Sequence, residues 1–218
     1  MRYLRENKYL IIAVMILPVL LYLDTLFVYL LRTYYKYSAV NNFLYKIDPI
    51  SNFLSNGGAL ITVAFVILLA GKLYPRIKGL GEALIAGFIS SGILVQVLKH
   101  LVGRARPRVT DHLVVIGPTL KSGYDSFPSG HTTSAFCLAE ILSGRFPRYR
   151  ILFYLWAATV GFGRIEEMAH FPSDVFAGAV LGIVTARWLS AKVIPLFSSK
   201  ARGRKPAIED DLMQENRF

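Results

Sequence analysis

Residues 9–31 read "YLIIAVMILPVLLYLDTLFVYLL", an apolar run that decides the class of fold. A helix that crosses a bilayer needs about 20 mostly apolar residues, and this run is long enough. Basic residues precede it at Arg2, Arg5 and Lys8, as they do in a secretory signal. The run is too long for such a signal, and no small-residue cleavage site follows it. We therefore predict a retained membrane span.

Asp24 interrupts this first span. An ionisable residue inside a membrane segment is costly and is functional by default. The alternative is that Asp24 lies near the far interface of the membrane and is hydrated there. The sequence leaves both interpretations open.

The composition favours a membrane protein with an anionic partner. Hydrophobic residues make up 54% of the 218 residues and the mean hydropathy is +0.44, which is more apolar than an ordinary soluble domain. The formal net charge of +11 suggests nucleic acid, anionic lipid headgroups or phosphate as partners. Nucleic acid is excluded, because the basic residues flank apolar runs instead of forming one soluble face. The single cysteine, Cys137, permits no intrachain disulfide and is predicted to be a small buried residue.

Five further apolar stretches follow the first one. They cover residues 58–74 and 80–101, a fourth span that starts within "FPSGHTTS" at 127–134 and ends near 146, and then 151–162 and 175–197. We therefore predict an all-α integral membrane protein with six transmembrane helices, in which residues 1–197 form a single domain. The polar tail at residues 198–218 is expected to be cytoplasmic and mobile. The tyrosine-rich segment 32–56 is expected to lie along the outer headgroup layer.

The distribution of lysine and arginine sets the orientation of the spans. Basic residues concentrate at 2–8, 72–78, 145–150 and 200–205, which places both termini in the cytoplasm. The outer connections break this rule, since they carry Lys99, Arg104, Arg106, Arg108, Lys121 and Arg164. A basic cluster that opposes the topology bias indicates a binding role.

Three polar motifs lie at the predicted outer ends of the spans. They are "KHLVGRARP" at residues 99–107, "PSGH" at 128–131 and "GRIEEMAHFPSD" at 163–174. If six spans form, all three motifs face the same side at a similar depth. Each motif alone also fits a simpler reading: a basic lipid-binding loop, a capped helix start, or a surface or metal-binding His–Asp pair.

The residue types in the three motifs suit phosphoryl transfer. Lysine and arginine bind phosphate oxygens, and free backbone N–H groups at a helix start bind anions. Two histidines exchange protons near neutral pH, and a carboxylate orients one of them. One histidine would attack phosphorus while the other protonates the leaving oxygen. The residues concerned are Lys99, Arg106, Ser129, Gly130, His131, Arg164, His170 and Asp174.

The motifs resemble those of the type 2 phosphatidic acid phosphatase (PAP2) family, membrane lipid phosphatases that share their site with vanadium haloperoxidases. The family pattern has a lysine, six residues and Arg-Pro, matched by Lys99 and Arg106 with Pro107. Pro-Ser-Gly-His is matched at residues 128–131. The third element is matched at Arg164, His170 and Asp174, with Gly163 where the family usually has serine.

The resemblance implies a role for each residue. His170 would be the nucleophile that forms a phosphohistidine, with Asp174 orienting it and His131 acting as general acid. The phosphate would be held by Lys99, Arg106, Ser129, Gly130 and Arg164, and Arg104 and Arg108 would contact a second phosphate or the headgroup. The family needs no metal, in agreement with the lack of a carboxylate cluster suited to magnesium.

The resemblance also implies a bacterial inner-membrane enzyme with its active site on the periplasmic face. Lipid A 1-phosphate or undecaprenyl pyrophosphate is favoured as substrate, because the basic, tyrosine-rich outer segment suits a bulky anionic lipid. Phosphatidylglycerol phosphate is the alternative substrate. Other classes are a haloperoxidase, which the membrane spans oppose, and an anion or lipid transporter that uses the same basic cluster. The oligomeric state is not indicated.

Overall fold

The computed structural model describes residues 2–34, 57–74 and 77–192, and these ranges are helical without any strand. A lone bridge between Arg104 and Val115 is their only extended pairing. The helices are α1 (Arg2–Tyr34), α2 (Gly57–Leu73), α3 (Leu80–Val102), α4 (Gly130–Arg145), α5 (Arg150–Glu166) and α6 (Pro172–Lys192). Each predicted apolar run therefore corresponds to one helix over the residues that the structure describes, the last of them to Lys192. The interfacial segment beyond residue 34 and the tail at 198–218 lie outside the described residues.

Two of the described helices are long and apolar enough to cross a membrane. These segments are Ile11–Thr33 and Leu80–Val102, with mean hydropathies of 2.5 and 1.7, and the apolar stretch Leu60–Leu73 in α2 is shorter. The outward face of α1 carries large exposed apolar side chains such as Val14 and Met15. Such a surface suits lipid contact. The prediction of six transmembrane spans is thus supported for two helices and stays a prediction for the others.

The fifth helix is longer than the sequence predicts. The apolar run ends at residue 162, whereas α5 continues to Glu166. The extra turn carries Gly163 and Arg164, which are both buried. The helix continues past its apolar run because these residues pack into the protein interior instead of facing solvent.

Helices α4 and α6 pack in close contact, and this contact fixes the first turns of both helices. A Cβ atom on Gly182 would lie 2.3 Å from the carbonyl oxygen of Thr133, and one on Gly178 would lie 2.6 Å from that of Ser129. Residues four apart lie on one helix face, so the two glycines let the helix backbones approach. The amide of Ser129 also donates to the carbonyl of Asp174 at 3.0 Å. The first turns of α4 and α6 are therefore fixed against each other.

Gly103 ends α3 and starts the connection to α4. It has φ 61, and its amide donates to the carbonyl of Lys99. A side chain here would be strained by that φ, and its Cβ would lie 1.9 Å from the carbonyl oxygen of Gly117. The same connection meets the end of α1, where Arg32 donates to the carbonyl of Pro107 at 2.6 Å and forms an ion pair with Asp111.

Candidate active site

Residues from all three sequence motifs line one cavity of about 280 Å³ at the end of α3. The last turns of α3 and α5 supply Lys99 and Arg164, and the start of α4 supplies Gly130 and His131. His170 enters from the connection between α5 and α6. The remaining lining residues are Gly92, Val95, Gln96, Arg106, Ser134 and Ala169. The structure therefore brings together motif residues as distant in sequence as Lys99 and His170, which are 71 positions apart.

Three cations, Lys99, Arg106 and Arg164, form what we call the cation cluster of this cavity. Lys99 and Arg164 are buried. Arg164 donates to the Glu167 carboxylate at 2.9 Å, which holds its guanidinium from the α5 side. Buried guanidinium and ammonium groups around one cavity are suited to bind a phosphate from several directions.

Asp125 holds two members of the cation cluster, and the sequence analysis missed it. Its carboxylate accepts from Nε and Nη2 of Arg106 at 2.9 and 2.6 Å. Its carbonyl oxygen accepts from Nζ of Lys99 at 2.6 Å. The Arg106 guanidinium keeps the pKa of this carboxyl well below its usual range. The sequence contains no signal for this contact, because Asp111 in the same connection looks equivalent.

His170 lies beside the buried carboxylate of Asp174. Its Nδ1 is 3.8 Å from Asp174 Oδ2, and within the described ranges it has no closer hydrogen-bond partner. Only 2% of His170 and none of Asp174 is exposed. Burial lowers the pKa of His170, against the opposing effect of the Asp174 carboxylate. The ring is therefore held in its neutral form near pH 7, with Nδ1 towards the carboxylate and Nε2 directed away from it.

Asp174 is itself held by three donors. Ser126 Oγ and the Phe171 amide donate to Oδ2 at 2.6 and 2.9 Å, and Arg104 Nη1 donates to Oδ1 at 2.6 Å. A carboxylate fixed in this way has a defined orientation towards the neighbouring imidazole. Ser126 was not predicted, since a serine outside the motifs carries no distinguishing pattern.

Arg104 corrects one of the sequence-based predictions. It was expected to contact a second phosphate or the lipid headgroup, but only 1% of its surface is exposed. Its guanidinium contacts Asp24, Ser173 and Asp174 and lies 4.2 Å from the centroid of the Phe171 ring. The prediction is wrong for Arg104, because these contacts use it inside the protein.

The burial of Asp24 decides between the two interpretations that the sequence left open for it. It is 1% exposed and forms an ion pair with Arg104, so hydration at an interface is wrong. The other predicted headgroup residue, Arg108, is exposed in the connection between α3 and α4, and its role stays a prediction.

The start of α4 differs in part from expectation. Gly130 and His131 line the cavity, and His131 is exposed. Ser129 is fully buried and is not among the cavity-lining residues; its hydroxyl accepts from Thr132 Oγ1 at 2.9 Å. The structure therefore does not bring the Ser129 hydroxyl to the place where it was predicted to bind phosphate.

The side chains that could act as metal ligands are those of histidine, cysteine, aspartate and glutamate. Within the part of the chain that the structure describes, no three histidine, cysteine, aspartate or glutamate residues lie together as a metal-binding group. Independence from metal stays a prediction. Cys137 is buried and free, as its apolar surroundings predict.

Comparison with known proteins adds an independent observation. Residues 81–195, more than half of the chain, match the model of the PAP2 superfamily. The chain is 37% identical over 109 residues to a protein named lipid A 1-phosphatase from Rhizobium etli, covering 49% of this chain and 47% of the relative. It is 37% identical over 128 residues to one of the same name from Rhizobium johnstonii, covering 56% and 50%. The chain thus spans about half the length of these relatives.

Two solved structures have a similar arrangement of helices. The crystal structure of Aquifex aeolicus LpxE superposes with a TM-score of 0.56 at 26% identity, covering 76% of this chain and 93% of that one. A transmembrane PAP2 type phosphatidylglycerolphosphate phosphatase from Bacillus subtilis gives a TM-score of 0.55 at 21% identity, covering 88% and 98%. At that identity, the second likeness concerns the fold alone.

Proposed function

The chain belongs to the PAP2 superfamily, and on this premise we propose that it is an integral membrane lipid phosphatase that removes a terminal phosphate from a lipid phosphate or pyrophosphate. The observation that carries the proposal is the cavity in which the cation cluster meets His170, with Asp174 buried behind the ring. Cations select the anionic phosphate, and a neutral imidazole backed by a carboxylate is a nucleophile.

The proposed reaction proceeds in two steps. Nε2 of His170 attacks phosphorus, the bond from phosphorus to the lipid oxygen breaks, and His131 gives a proton to that oxygen. Water then attacks the phosphohistidine, His131 takes the proton from that water, and the N–P bond breaks to release phosphate. Asp174 holds the Nδ1 proton throughout and stabilises the charge on the ring.

The cation cluster supplies electrostatic stabilisation in this mechanism. Phosphoryl transfer leaves most of the negative charge on the three equatorial oxygens of the transferring group. Cations already fixed in a partly buried cavity stabilise that charge without reorganising during the reaction. The amides at the start of α4, at Gly130 and His131, add donors and the positive end of the helix dipole.

Lipid A 1-phosphate and undecaprenyl pyrophosphate are the favoured substrates. Support comes from the similarity to proteins named lipid A 1-phosphatase and from the apolar residues Gly92, Val95 and Ala169 in the lining of the cavity. Phosphatidylglycerol phosphate is the alternative substrate. We place the enzyme in a bacterial inner membrane, with both termini in the cytoplasm and the cavity on the periplasmic side, because the basic residues are distributed in that way.

A transporter of anions or lipids is the second candidate, since the same cation cluster would line a path. The buried pair of His170 and Asp174 favours hydrolysis, because selecting an anion for passage requires no carboxylate behind an imidazole. The two functions differ in a simple measurement: a transporter gives flux across vesicles without releasing inorganic phosphate.

The test is phosphate release by the detergent-purified protein from a panel of lipids, namely lipid A, undecaprenyl pyrophosphate and phosphatidylglycerol phosphate. Release from at least one of them, lost in His170→Ala, is expected. Flux of the lipid in vesicles without phosphate release from any member of the panel would overturn the proposal in favour of transport.

A further inference from the structure

Three buried charged residues form a continuous chain behind the candidate nucleophile. Asp24 Oδ2 accepts from Arg104 Nη2 at 2.6 Å, and Arg104 Nη1 donates to Asp174 Oδ1 at 2.6 Å. No more than 1% of any of the three side chains is exposed. We call Asp24, Arg104 and Asp174 the charge trio. It connects α1 to the carboxylate that faces His170.

Ser173 provides a second connection between α1 and the site. Its amide donates to Asp24 Oδ1 at 3.1 Å, and its hydroxyl donates to Asp24 Oδ2. The same hydroxyl accepts from Arg104 Nη1 at 2.6 Å. Ser173 directly precedes Asp174 in the first turn of α6. Asp24 therefore holds both the partner of Asp174 and the backbone next to it.

The contacts of Asp24 fit an ionised carboxylate. Both of its oxygens accept hydrogen bonds, from a guanidinium, an amide and a hydroxyl. A carboxylate accepts at both oxygens, whereas a protonated one must donate from one of them. With Asp24 ionised, the charge trio carries a net charge of minus one.

This net charge bears directly on His170. Arg104 on its own would neutralise Asp174 and weaken the attraction between that carboxylate and the imidazole proton. Asp24 balances the charge of Arg104, so that Asp174 remains an effective anion towards His170. In a buried site such charges are poorly screened by water, and the effect reaches the neighbouring ring.

We propose that Asp24 is a positioning residue for the proposed reaction: through Arg104 and Ser173 it orients Asp174 and preserves the negative charge that activates His170. The inference rests on the proposed function. It gives α1 a role in positioning the Asp174 carboxylate, although α1 lies before residue 81, where the match to the superfamily model begins. The alternative is that the charge trio only fastens α1 to the other helices.

The first test is Asp24→Asn, which removes the charge with little change of shape. We expect kcat to fall by about 10-fold, the lower end of the range found for residues that orient a functional ligand directly, because Asp24 acts through Arg104 and Ser173. KM should be unchanged, because Asp24 contacts none of the cation cluster. The control is Glu140→Gln, which removes the charge from another interhelical ion pair, that with Arg187; neither of these two residues lines the cavity. It should leave kcat unchanged.

A double variant separates charge balance from fastening. Asp24→Asn alone brings the charge trio to zero, and adding Arg104→Gln returns it to minus one. Charge balance predicts that the double variant recovers at least part of the kcat lost in Asp24→Asn. If Asp24 only fastens α1, the double variant is no more active than the single one, and that result would overturn the proposal.

Titration of His170 by NMR gives a readout that does not depend on activity. The chain has four histidines, so the resonance can be assigned with His170→Gln. The groups that face His170 are Asp174 from α6, Lys99 from α3, Arg106 from the outer connection, and His131 and Arg164 from α4 and α5. With these unchanged, Asp24→Asn should lower the pKa of His170, since a negative charge is lost behind it.

The two proposals fail in different ways. If the wild-type protein releases no phosphate but Asp24→Asn shifts the His170 titration, the proposed function fails, while the electrostatic coupling between Asp24 and His170 stands. If the wild-type protein is active while Asp24→Asn leaves kcat and the titration unchanged, the positioning role fails alone. If Asp24→Asn does not yield folded protein, Asp24→Glu is measured in its place. This variant retains the charge, so the pKa of His170 should be the same as in the wild-type protein.

Discussion

The Asp125 carboxylate accepts two hydrogen bonds from Arg106, at 2.9 and 2.6 Å. A carboxylate therefore already contacts a cation that we assign to phosphate binding. Asp125 also accepts from Lys99 through its backbone carbonyl, which a change of side chain does not remove. The residue therefore both orients the cation cluster and offsets part of its charge.

Asp125→Asn should tighten the binding of inorganic phosphate. The amide keeps an acceptor for Arg106, and the Lys99 contact is preserved, so the loss of charge outweighs the loss of orientation. Asp125 is about one-third exposed, and water screens its charge, so we expect roughly a 3- to 10-fold lower inhibition constant for phosphate. Added inorganic phosphate serves as the competitive inhibitor, and the rate is followed by the appearance of the dephosphorylated lipid. Asp111→Asn in the same connection is the control. Weaker inhibition in Asp125→Asn would show that orientation dominates.

His131→Ala should slow the reaction according to the leaving group. A general acid contributes about 10²- to 10⁴-fold when the leaving oxygen is basic, as in a lipid alcohol. A substrate with an acidic leaving group, such as a nitrophenyl phosphate, needs less help, so its kcat should fall much less. Comparing kcat for both substrates in both proteins gives the answer. Equal losses for the two substrates would contradict the assignment of His131 as the acid.

The activity should decline on the acidic side with a midpoint below pH 6.5, the ordinary value for histidine, because burial lowers the pKa of His170. In the proposed reaction the neutral ring of His170 is the nucleophile, so activity should be present above that pKa and lost as the pH falls through it. The measurement is kcat/KM across this range, because it reports the ionisation of the free enzyme. Two substrates whose phosphates ionise differently should give the same midpoint if it belongs to the enzyme. A midpoint above pH 6.5 would be inconsistent with a buried, neutral His170.

Gly182→Ala should destabilise the protein. The new Cβ would lie 2.3 Å from the carbonyl oxygen of Thr133, and backbone atoms can yield only if α4 and α6 separate. Forcing extra volume into a packed contact costs about 1–3 kcal/mol. Gly144→Ala is the control, since no atom lies within 4 Å of the added Cβ. Thermal unfolding in detergent should show a lower Tm for Gly182→Ala alone, and equal Tm values would argue against close packing of these helices.

The sequence is informative about the helices and the motifs because both are local patterns. The apolar runs predict six helices, and the observed starts of α2 and α3 are within one residue of the prediction, while α4 begins inside the predicted motif at 127–134. The motifs were predicted to lie at the same end of the helices, and Lys99, His131 and His170 do line one cavity.

The parts that escaped prediction depend on distant contacts. Asp24 and Arg104 are separated by 80 positions, and hydropathy assesses each of them without the other. Arg104 therefore looked like a surface cation and Asp24 like an isolated charge. Ser129 was expected to present its hydroxyl to phosphate, but the local contact with Thr132 buries it, and a motif does not specify such a rotamer.

The most direct test of the central claim, that His170 is the nucleophile, is rapid quenching of the enzyme with a lipid substrate, followed by mass spectrometry under alkaline conditions that preserve phosphohistidine. The account predicts that one phosphoryl group is found on the peptide containing His170 and that it is absent in His170→Ala, which also releases no phosphate. Full phosphate release by folded His170→Ala, or a phosphoryl group on another residue, would contradict it.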